Sequence, residues 1–425
     1  MFTVLIIIIF VLGYIAIAFE HPLRLNKAAS ALITGVLCWT IYMLQSDSSH
    51  IVSEELLHHL GEIASILFFL LGAMTIVELI DSHNGFDIIT EKIKTTSKSK
   101  LLLIIITITF FLSALLDNLT TAIVMTSLCS KLLSEKEDRL WFVGMIVIAA
   151  NAGGAWSPLG DVTTTMLWIG GQITALNIMK QLILPSLAAC MIPSLIVAYR
   201  FKGQQIISMT QAVGTFKEKR DGKVILFSGI GFLIFVPVFK TVTHLPPFMG
   251  MLLALGFMWV ITTIIHKSKE QEVADRLTVS RALQKIDSPS ILFFLGILLA
   301  VSALQSFGLL KDLASFLSST FKNDYLIGMA LGLLSAIVDN VPLVAASQGM
   351  FDLSTYPTDH PFWEFLALTT GTGGSAIIIG TAAGVAVMGI EQIDFMWYLK
   401  KISWLALIGF VAGIGVFLLQ MQLTQ

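Results

Sequence analysis

The sequence predicts an all-α polytopic membrane protein with about ten transmembrane helices in two inverted-topology repeats. Three observations support this fold class: the composition, the spacing of the apolar segments and an internal repeat. Of the 425 residues, 56% are hydrophobic and 13% are charged, against roughly 45–50% and 25% in soluble proteins. The mean hydropathy is +0.85. We therefore expect a lipid bilayer as the surroundings, and the net charge of −2 gives no reason to expect nucleic acid as a partner.

Apolar segments long enough to cross a membrane recur along the whole chain. A helix needs about 20 apolar residues to span a hydrocarbon core of about 30 Å. The predicted crossings lie near 2–19, 28–45, 61–80, 141–172, 178–200, 223–241, 248–266, 290–310, 362–390 and 401–421. Two apolar stretches, 101–133 and 326–350, are left over. The first would form a single helix of about 50 Å, too long for one crossing, so both are predicted to be re-entrant hairpins.

Basic residues predict the orientation of these segments. Lys98 and Lys100 precede the first hairpin and Lys131 and Lys136 follow it. Because basic residues stay cytoplasmic, both ends of this hairpin are predicted to lie inside. The flanks of the second hairpin are poorly basic, so it should enter from outside. The lysines and arginines then fall in or beside inside loops, and the exceptions are Lys180, Lys240, Lys311 and Lys322. Both termini are predicted to be external.

A repeated pattern divides the chain into halves. Leu112–Asn118 and Leu334–Asn340 both place Ser-Ala ahead of an Asp-Asn pair. Two further matches are Ser65–Leu70 with Ser290–Leu295, and Asn151–Ala155 followed by Gly160 with Gly371–Ser375 followed by Gly380. An odd number of crossings per half inverts the second half, as in secondary transporters. We predict a first repeat at 1–200, a cytoplasmic linker at 201–222 and a second repeat at 223–425, with broken helices at 141–172 and 362–390.

Polar side chains inside the apolar segments are the candidates for function, because a charge there costs at least a few kcal/mol. Asp117–Asn118 and Asp339–Asn340 are predicted near the hairpin tips. Glycines and Pro158 between Asn151 and Thr165 predict an unwound helix. Asp161 places a carboxylate in this break, whereas the corresponding residue of the second half is Thr381.

Sodium binding requires hard oxygen donors, which are carboxylates, amides, hydroxyls and backbone carbonyls. The candidates for ion binding and proton exchange are Asp117, Asn118, Thr120, Thr121, Asn151, Ser157, Asp161, Thr163, Ser335, Asp339, Asn340, Thr370, Thr372 and Ser375. Those assigned to Na⁺ itself are Asp117, Asn118, Asp161, Asp339 and Asn340. Competition between Na⁺ and H⁺ for buried carboxylates would give antiport without a separate proton pathway. The sequence leaves open which of these residues share one ion.

The motifs Asp-Asn-x-Thr-Thr in the first hairpin and Gly-Gly-x-x-Ser-Pro-x-Gly-Asp in the first break, with partial repeats at Asp339–Asn340 and Gly373–Gly374, closely resemble the NhaD-type sodium/proton antiporters. That family belongs to a wider ion transporter superfamily with arsenite pumps and dicarboxylate carriers. The resemblance implies Na⁺ or Li⁺ efflux against H⁺ entry without a cofactor, and a homodimer with elevator-like movement in a plasma or bacterial inner membrane. The family's polar site maps onto Asp117, Asn118, Thr120, Asn151, Asp161, Thr163, Ser335, Asp339, Asn340 and Ser375.

Two alternative functions are open. An anion or arsenite carrier of the same superfamily is the nearer one, although dicarboxylate carriers have Ser-Asn-Thr where this chain has Asp117–Asn118. An intramembrane aspartyl protease is the other, because two aspartates can share a proton and activate water. Since Asn follows both duplicated aspartates, we expect a transporter and no enzyme. His58, His59 and His83 are expected to be solvated loop residues, with pH sensing as the alternative.

Overall fold

The computed structural model describes residues 2–18, 20–23, 25–46, 48–86, 95–205, 216–267 and 277–424, which are almost entirely helical. The helices of the first half are α1 Phe2–Ala18, α2 Glu20–Leu23, α3 Lys27–Gln45, α4 Ser49–Ser82, α5 Lys98–Leu116, α6 Asn118–Leu132, α7 Lys136–Ala155, α8 Val162–Ile169 and α9 Ala175–Arg200. Those that follow are α10 Phe216–Thr243, α11 Pro247–His266, α12 Val279–Lys285, α13 Ser288–Ser306, α14 Leu309–Phe321, α15 Asp324–Leu334, α16 Asn340–Met350, α17 Pro361–Gly373, α18 Ala382–Glu391, α19 Phe395–Lys401 and α20 Ser403–Thr424.

Eight described helices are long and apolar enough to cross a membrane: α3, α4, α5, α9, α10, α11, α13 and α20. The predicted all-helical, multi-pass membrane fold is confirmed. Three predicted crossings are missing from this set. The helix α1, at the predicted crossing 2–19, has only 17 residues, and 141–172 and 362–390 each consist of two helices separated by an interruption. The set contains α5 instead, which the sequence predicts to be half of a re-entrant hairpin at 101–133. The first interruption lies between α7 and α8. The second contains two short 3₁₀ turns, Gly374–Ala376 and Ile378–Gly380, between α17 and α18.

The helix α4 is longer than the sequence predicts. Its apolar part was predicted at 61–80, but the helix begins at Ser49. Polar residues spaced four positions apart share one face of this first part, such as His50 and Glu54, whose Nδ1 and Oε1 atoms are 3.7 Å apart. His58 and His59 therefore lie in a helix and not in a loop.

His83, which was expected to be solvated, is buried and packs against another histidine. Only 5% of its surface is exposed, and its ring stacks on that of His266 with centroids 5.1 Å apart. The two Nε2 atoms are 2.9 Å apart, and Nδ1 of His83 contacts the carbonyl oxygen of Leu79. The expectation was wrong because the ends of α4 and α11 meet here, which local sequence does not reveal.

The centre of the fold is formed by α7 and α17, which are buried on all sides. Every residue from Trp141 to Ala155 and from Phe362 to Gly373 is buried, as expected for helices surrounded by other helices. The helix α7 packs against α5 and α6, and α17 packs against α15 and α20. These parts of the two broken helices thus have almost no access to solvent or lipid.

Contacts at corresponding positions of the two halves match. The hydroxyl of Ser113 donates to the carbonyl oxygen of Ala150 at 2.5 Å, and that of Ser335 donates to the carbonyl oxygen of Thr370 at 3.0 Å. A Cβ atom on Gly153 would overlap the carbonyl group of Phe110, just as one on Gly373 would overlap Gly332. These contacts support the sequence repeat. The repeat boundaries and the inverted orientation stay predictions, and residues 206–215 of the linker lie outside the described residues.

The close approach at Gly153 gives a test of the packing. We expect Gly153→Ala to destabilise the protein by about 1–3 kcal/mol, because the methyl group would force α5 and α7 apart. Gly256→Ala is the matched control, since nothing lies within 4 Å of a Cβ atom there. Thermal unfolding in detergent, followed by size-exclusion chromatography, measures the difference. Equal melting temperatures for the two variants would contradict this packing.

Candidate ion-binding site

The two Asp-Asn pairs lie where one helix ends and the next begins. Asp117 separates α5 from α6 and has φ of +79°, in a region that residues other than glycine rarely adopt. Its carboxylate accepts hydrogen bonds from the backbone N–H and the hydroxyl of Thr120, both at 2.8 Å. Asp339 caps α16 and accepts from the N–H of Val341 at 3.2 Å. Strained backbone of this kind is concentrated at functional sites.

The two broken helices resume in the same way but with different chemistry. Asp161 caps α8 by accepting a hydrogen bond from the N–H of Thr163 at 3.3 Å, and Thr381 caps α18 by accepting from the N–H of Gly384 at 3.3 Å. Both caps have extended backbone, with φ of −147° and −140°. One break therefore carries a carboxylate and the other a neutral hydroxyl, as their aligned positions predicted.

Asn118 and Asn151 form a buried amide chain that reaches the second break. Nδ2 of Asn118 donates to Oδ1 of Asn151 at 3.0 Å. Nδ2 of Asn151 in turn donates to the hydroxyls of Ser375 at 2.9 Å and Thr381 at 3.1 Å. All four side chains are buried. The tip of the first hairpin is thus connected to the interrupted part of the second broken helix.

The turn between α15 and α16 reaches the first break by a direct bond. Nδ2 of Asn340 donates to Oδ2 of Asp161 at 3.1 Å, and Asp161 is only 2% exposed. A Cβ atom on Gly371 would lie 3.8 Å from the same Oδ2 atom, so the central helix α17 passes close to the carboxylate. The amides of Asn118 and Asn340 therefore contact, through Asn151 or directly, the helix cap that belongs to the other half.

The carboxylates of Asp117 and Asp339 are close enough to interact electrostatically with Asp161. Within the described ranges, none of the three forms a salt bridge. Lys27 acts on Asp339 only through a Coulombic interaction. Buried charges in proteins are usually paired with an opposite charge or bound to a metal ion. Acidic groups without such a partner therefore favour the binding of a cation.

Two buried hydroxyls near the site make no well-formed hydrogen bond among the described residues, although that of Thr163 lies beside the carboxylate of Asp161. They are Oγ1 of Thr163, which follows the Asp161 cap, and Oγ1 of Thr121 in the first turn of α6. Both residues are 0% exposed. An unpaired buried hydroxyl costs about 1–3 kcal/mol. These oxygen atoms are therefore available as ligands for a hard cation.

Other candidate residues use their hydroxyls to bind the backbone. Ser157 donates to the carbonyl oxygen of Ala114 at 2.6 Å, and Ser335 donates to that of Thr370. Thr372 and Thr370 donate to carbonyl oxygens one turn earlier in α17. The bonds of Ser157 and Ser335 connect neighbouring segments, and those of Thr370 and Thr372 stay within α17. These hydroxyls do not extend into the cluster of asparagine amides and aspartate carboxylates described above.

Two polar residues outside the cluster have contacts that the sequence did not predict. Glu364 in α17 is 1% exposed and accepts a hydrogen bond from Asn177. Lys240 in α10 donates to the carbonyl oxygen of Trp168 at 2.7 Å, with its Nζ atom 4.6 Å from the centroid of the indole ring. A cation at the carboxyl end of α8 interacts favourably with the dipole of that helix. This contact gives one exceptional lysine of the charge pattern a structural role.

Loop residues hold the two broken helices together at one end. The carboxylate of Asp359 accepts hydrogen bonds from the N–H of Thr174 at 2.6 Å and its hydroxyl at 2.8 Å. In the same loop, burial and a hydrogen bond to Asp324 raise the pKa of Tyr356 to about 12, so Tyr356 remains a neutral donor. The loop before α17 is therefore fixed to the loop after α8.

Broken helices that converge on buried carboxylates and amides, in a fold of many membrane-spanning helices, define a secondary membrane transporter. The family model described as "Citrate transporter" (CitMHS) matches residues 6–371, and the chain belongs to this transporter family. It is 46% identical to sodium/proton antiporter 1 of Arabidopsis thaliana, over 97% of this chain and 71% of that protein. It is 32% identical to the Na⁺/H⁺ antiporter NhaD of Vibrio cholerae, over 97% of this chain and 91% of that protein. The predicted family resemblance is confirmed.

The hydroxyl of Thr163 gives a test of the site. We expect Thr163→Val to change the stability of the ion-free protein by less than about 1 kcal/mol, because it removes a buried hydroxyl that makes no well-formed hydrogen bond. The same change should raise the Na⁺ concentration needed for thermal stabilisation by about tenfold, a loss of about 1.4 kcal/mol. Melting temperatures at increasing NaCl concentrations measure both effects.

Thr165→Val is the matched control for this experiment. The hydroxyl of Thr165 is buried and donates to the carbonyl oxygen of Pro158 at 2.8 Å. Its loss should lower stability by about 1–3 kcal/mol. If Thr163→Val destabilised the ion-free protein as much as the control, the hydroxyl of Thr163 would not be available to an ion.

Proposed function

We propose that this protein exchanges Na⁺, and also Li⁺, for H⁺ across a membrane. The single observation that carries the proposal is the Asp161 carboxylate, which is buried at a helix break, bonded to Asn340 and without a salt-bridge partner among the described residues. The names of the Arabidopsis and Vibrio relatives, sodium/proton antiporters, agree with this activity.

Exchange follows from the cost of leaving such a carboxylate charged and alone. A buried ion needs a counter-ion or it neutralises by binding a proton. Asp161 therefore holds either Na⁺ or H⁺, and each ion displaces the other. The site opens alternately to each side of the membrane and holds either Na⁺ or H⁺ whenever it changes sides. Transport of Na⁺ in one direction therefore requires transport of H⁺ in the other.

The surrounding residues have separate roles in this proposal. The Asn340 amide holds Oδ2 of Asp161, while the hydroxyl of Thr163 supplies a further oxygen for Na⁺. Asp117 and Asp339 are half-buried at the hairpin tips and attract cations toward Asp161. Asn118 orients the side chain of Asn151, which donates a hydrogen bond to the hydroxyl of Thr381 at the uncharged second break. The residues proposed for Na⁺ are Asp117, Asn118, Asp161, Asp339 and Asn340, with the hydroxyl of Thr163 as a further ligand.

The same proposal includes the arrangement in the membrane. The matching serine and glycine contacts of the two halves support inverted repeats with one hairpin and one broken helix each. We propose a homodimer in a plasma or bacterial inner membrane, with both termini external and without enzymatic activity. The charge pattern of the loops supports this orientation.

Anion transport is the second candidate function, because the matching family model is described as a citrate transporter. The amino-terminal ends of α8 and α18 at the breaks are favourable for anions. Asp161 argues against an anion at α8, since its own carboxylate already occupies that helix end and repels negative charge. A transport experiment with both ion classes separates the two functions.

We expect proteoliposomes preloaded with acid to become alkaline inside when NaCl or LiCl is added outside, but not with KCl, choline chloride or choline citrate. Asp161→Asn should abolish this response, because an amide cannot exchange a proton. Internal pH is followed with a trapped fluorescent dye. Asp352→Asn is the control, since Asp352 is an exposed loop residue.

Two outcomes would contradict the proposal. One is alkalinisation by Asp161→Asn at the rate of the unmodified protein, with the variant inserted normally. The other is a response of the unmodified protein to citrate but to no cation, which would favour the anion carrier. Asp117→Asn and Asp339→Asn are also expected to lose exchange while remaining folded.

A further inference from the structure

The first turns of α4 carry metal-ligating side chains on one helix face. This helix has 34 residues and is about 51 Å long, so it exceeds a hydrocarbon core of about 30 Å. His50, Glu54, His58 and Glu62 follow one another at intervals of four residues, which places them on one face. These four residues lie before the apolar part of the helix or at its start. This end of the helix therefore extends out of the hydrocarbon into water.

Three residues of this segment converge on one point. His58, His59 and Glu62 each place a ligand atom within 4.8 Å of the others. Nδ1 of His59 lies 3.2 Å from Oε2 of Glu62. In a tetrahedral zinc site with bonds of about 2.0–2.1 Å, two ligand atoms are about 3.3 Å apart. The His59–Glu62 pair therefore already has the spacing of two zinc ligands.

The ring of His59 is oriented by neighbouring helices. Its Nε2 atom lies 3.2 Å from the hydroxyl of Ser306 at the end of α13, and its centroid is 6.1 Å from that of Trp39 in α3. Metal-binding histidines commonly bond through their second nitrogen to a polar group that fixes the ring. With Nε2 directed to Ser306, Nδ1 faces Glu62 and is the nitrogen available to a metal.

We propose that His58, His59 and Glu62 bind a divalent transition-metal ion of the zinc class. Two imidazole nitrogens and one carboxylate oxygen suit Zn²⁺, Ni²⁺ or Cu²⁺, whereas Na⁺ prefers oxygen donors alone. His58 is exposed, so the ion is reached from water and keeps a free coordination position. The site is separate from the Asp161 cluster and does not depend on the proposed exchange.

Zinc binding to the full chain, purified in detergent without a histidine tag, tests this site. After treatment with a chelator, titration calorimetry with ZnCl₂ should show one saturable site per chain. We expect His58→Ala and Glu62→Gln to weaken binding at least tenfold and His59→Ala to abolish it. Glu62→Gln retains a hydrogen-bonding side chain beside His59, so its effect is separated from a general loss of structure.

His50→Ala is the matched control, because His50 and Glu54 form a similar exposed pair on the same helix, with Nδ1 and Oε1 3.7 Å apart. Among the described residues, no third ligand completes that pair. Binding should be unchanged in this variant. Absence of a saturable site in the unmodified chain would show an ordinary His59–Glu62 ion pair only and overturn the proposal. An equal loss in His50→Ala and His59→Ala would overturn it as well.

Discussion

The hydrogen bond between Asn340 and the buried carboxylate of Asp161 is the interaction on which the rest of the site depends. It joins groups 179 positions apart in the chain, from a helix tip in one half and a helix break in the other. A buried carboxylate is costly unless its oxygens are satisfied and its charge is balanced. The N–H of Thr163, which Asp161 caps, and the amide of Asn340 satisfy the first need. The second is left to a bound cation or proton.

The glycine-rich breaks make this arrangement sterically possible. A Cβ atom on Gly160 would lie 2.7 Å from the carbonyl oxygen of Ser113, and one on Gly380 would lie 2.6 Å from that of Ala336. The segments that contain Ser113 and Ala336 therefore meet the broken helices backbone to backbone, as small residues allow in membranes. The same packing serves both halves, but Asp161 and Thr381 give them different charges. One scaffold with two unequal caps concentrates the negative charge at one break.

Much of this organisation could be predicted from the sequence. Apolar length predicted seven of the eight helices that are long enough to span, whereas α5 was predicted to be half of a hairpin. The glycines and Pro158 predicted the first break. The Asp-Asn pairs were recognised because charged residues are rare in apolar segments. The start of α4 at Ser49 was missed because its first turns are polar, and hydropathy detects only the apolar part of a helix.

The pairing of residues across the halves could not be predicted. A repeat shows which positions correspond, but not which half contacts which, so the bonds Asn340 to Asp161 and Asn151 to Thr381 needed the structure. The stacking of His83 on His266 and the burial of Glu364 are of the same kind. Each depends on where distant helices end, and no local pattern encodes that.

Proton release on Na⁺ addition tests competition at Asp161 most directly. The purified protein in weakly buffered detergent solution should release protons when NaCl is added. Its apparent Na⁺ affinity should fall by up to about tenfold for each pH unit below the titration of the carboxyl group, because one proton competes with one ion. Asp161→Asn should show neither effect. Na⁺ binding with an affinity independent of pH and without proton release would contradict the account.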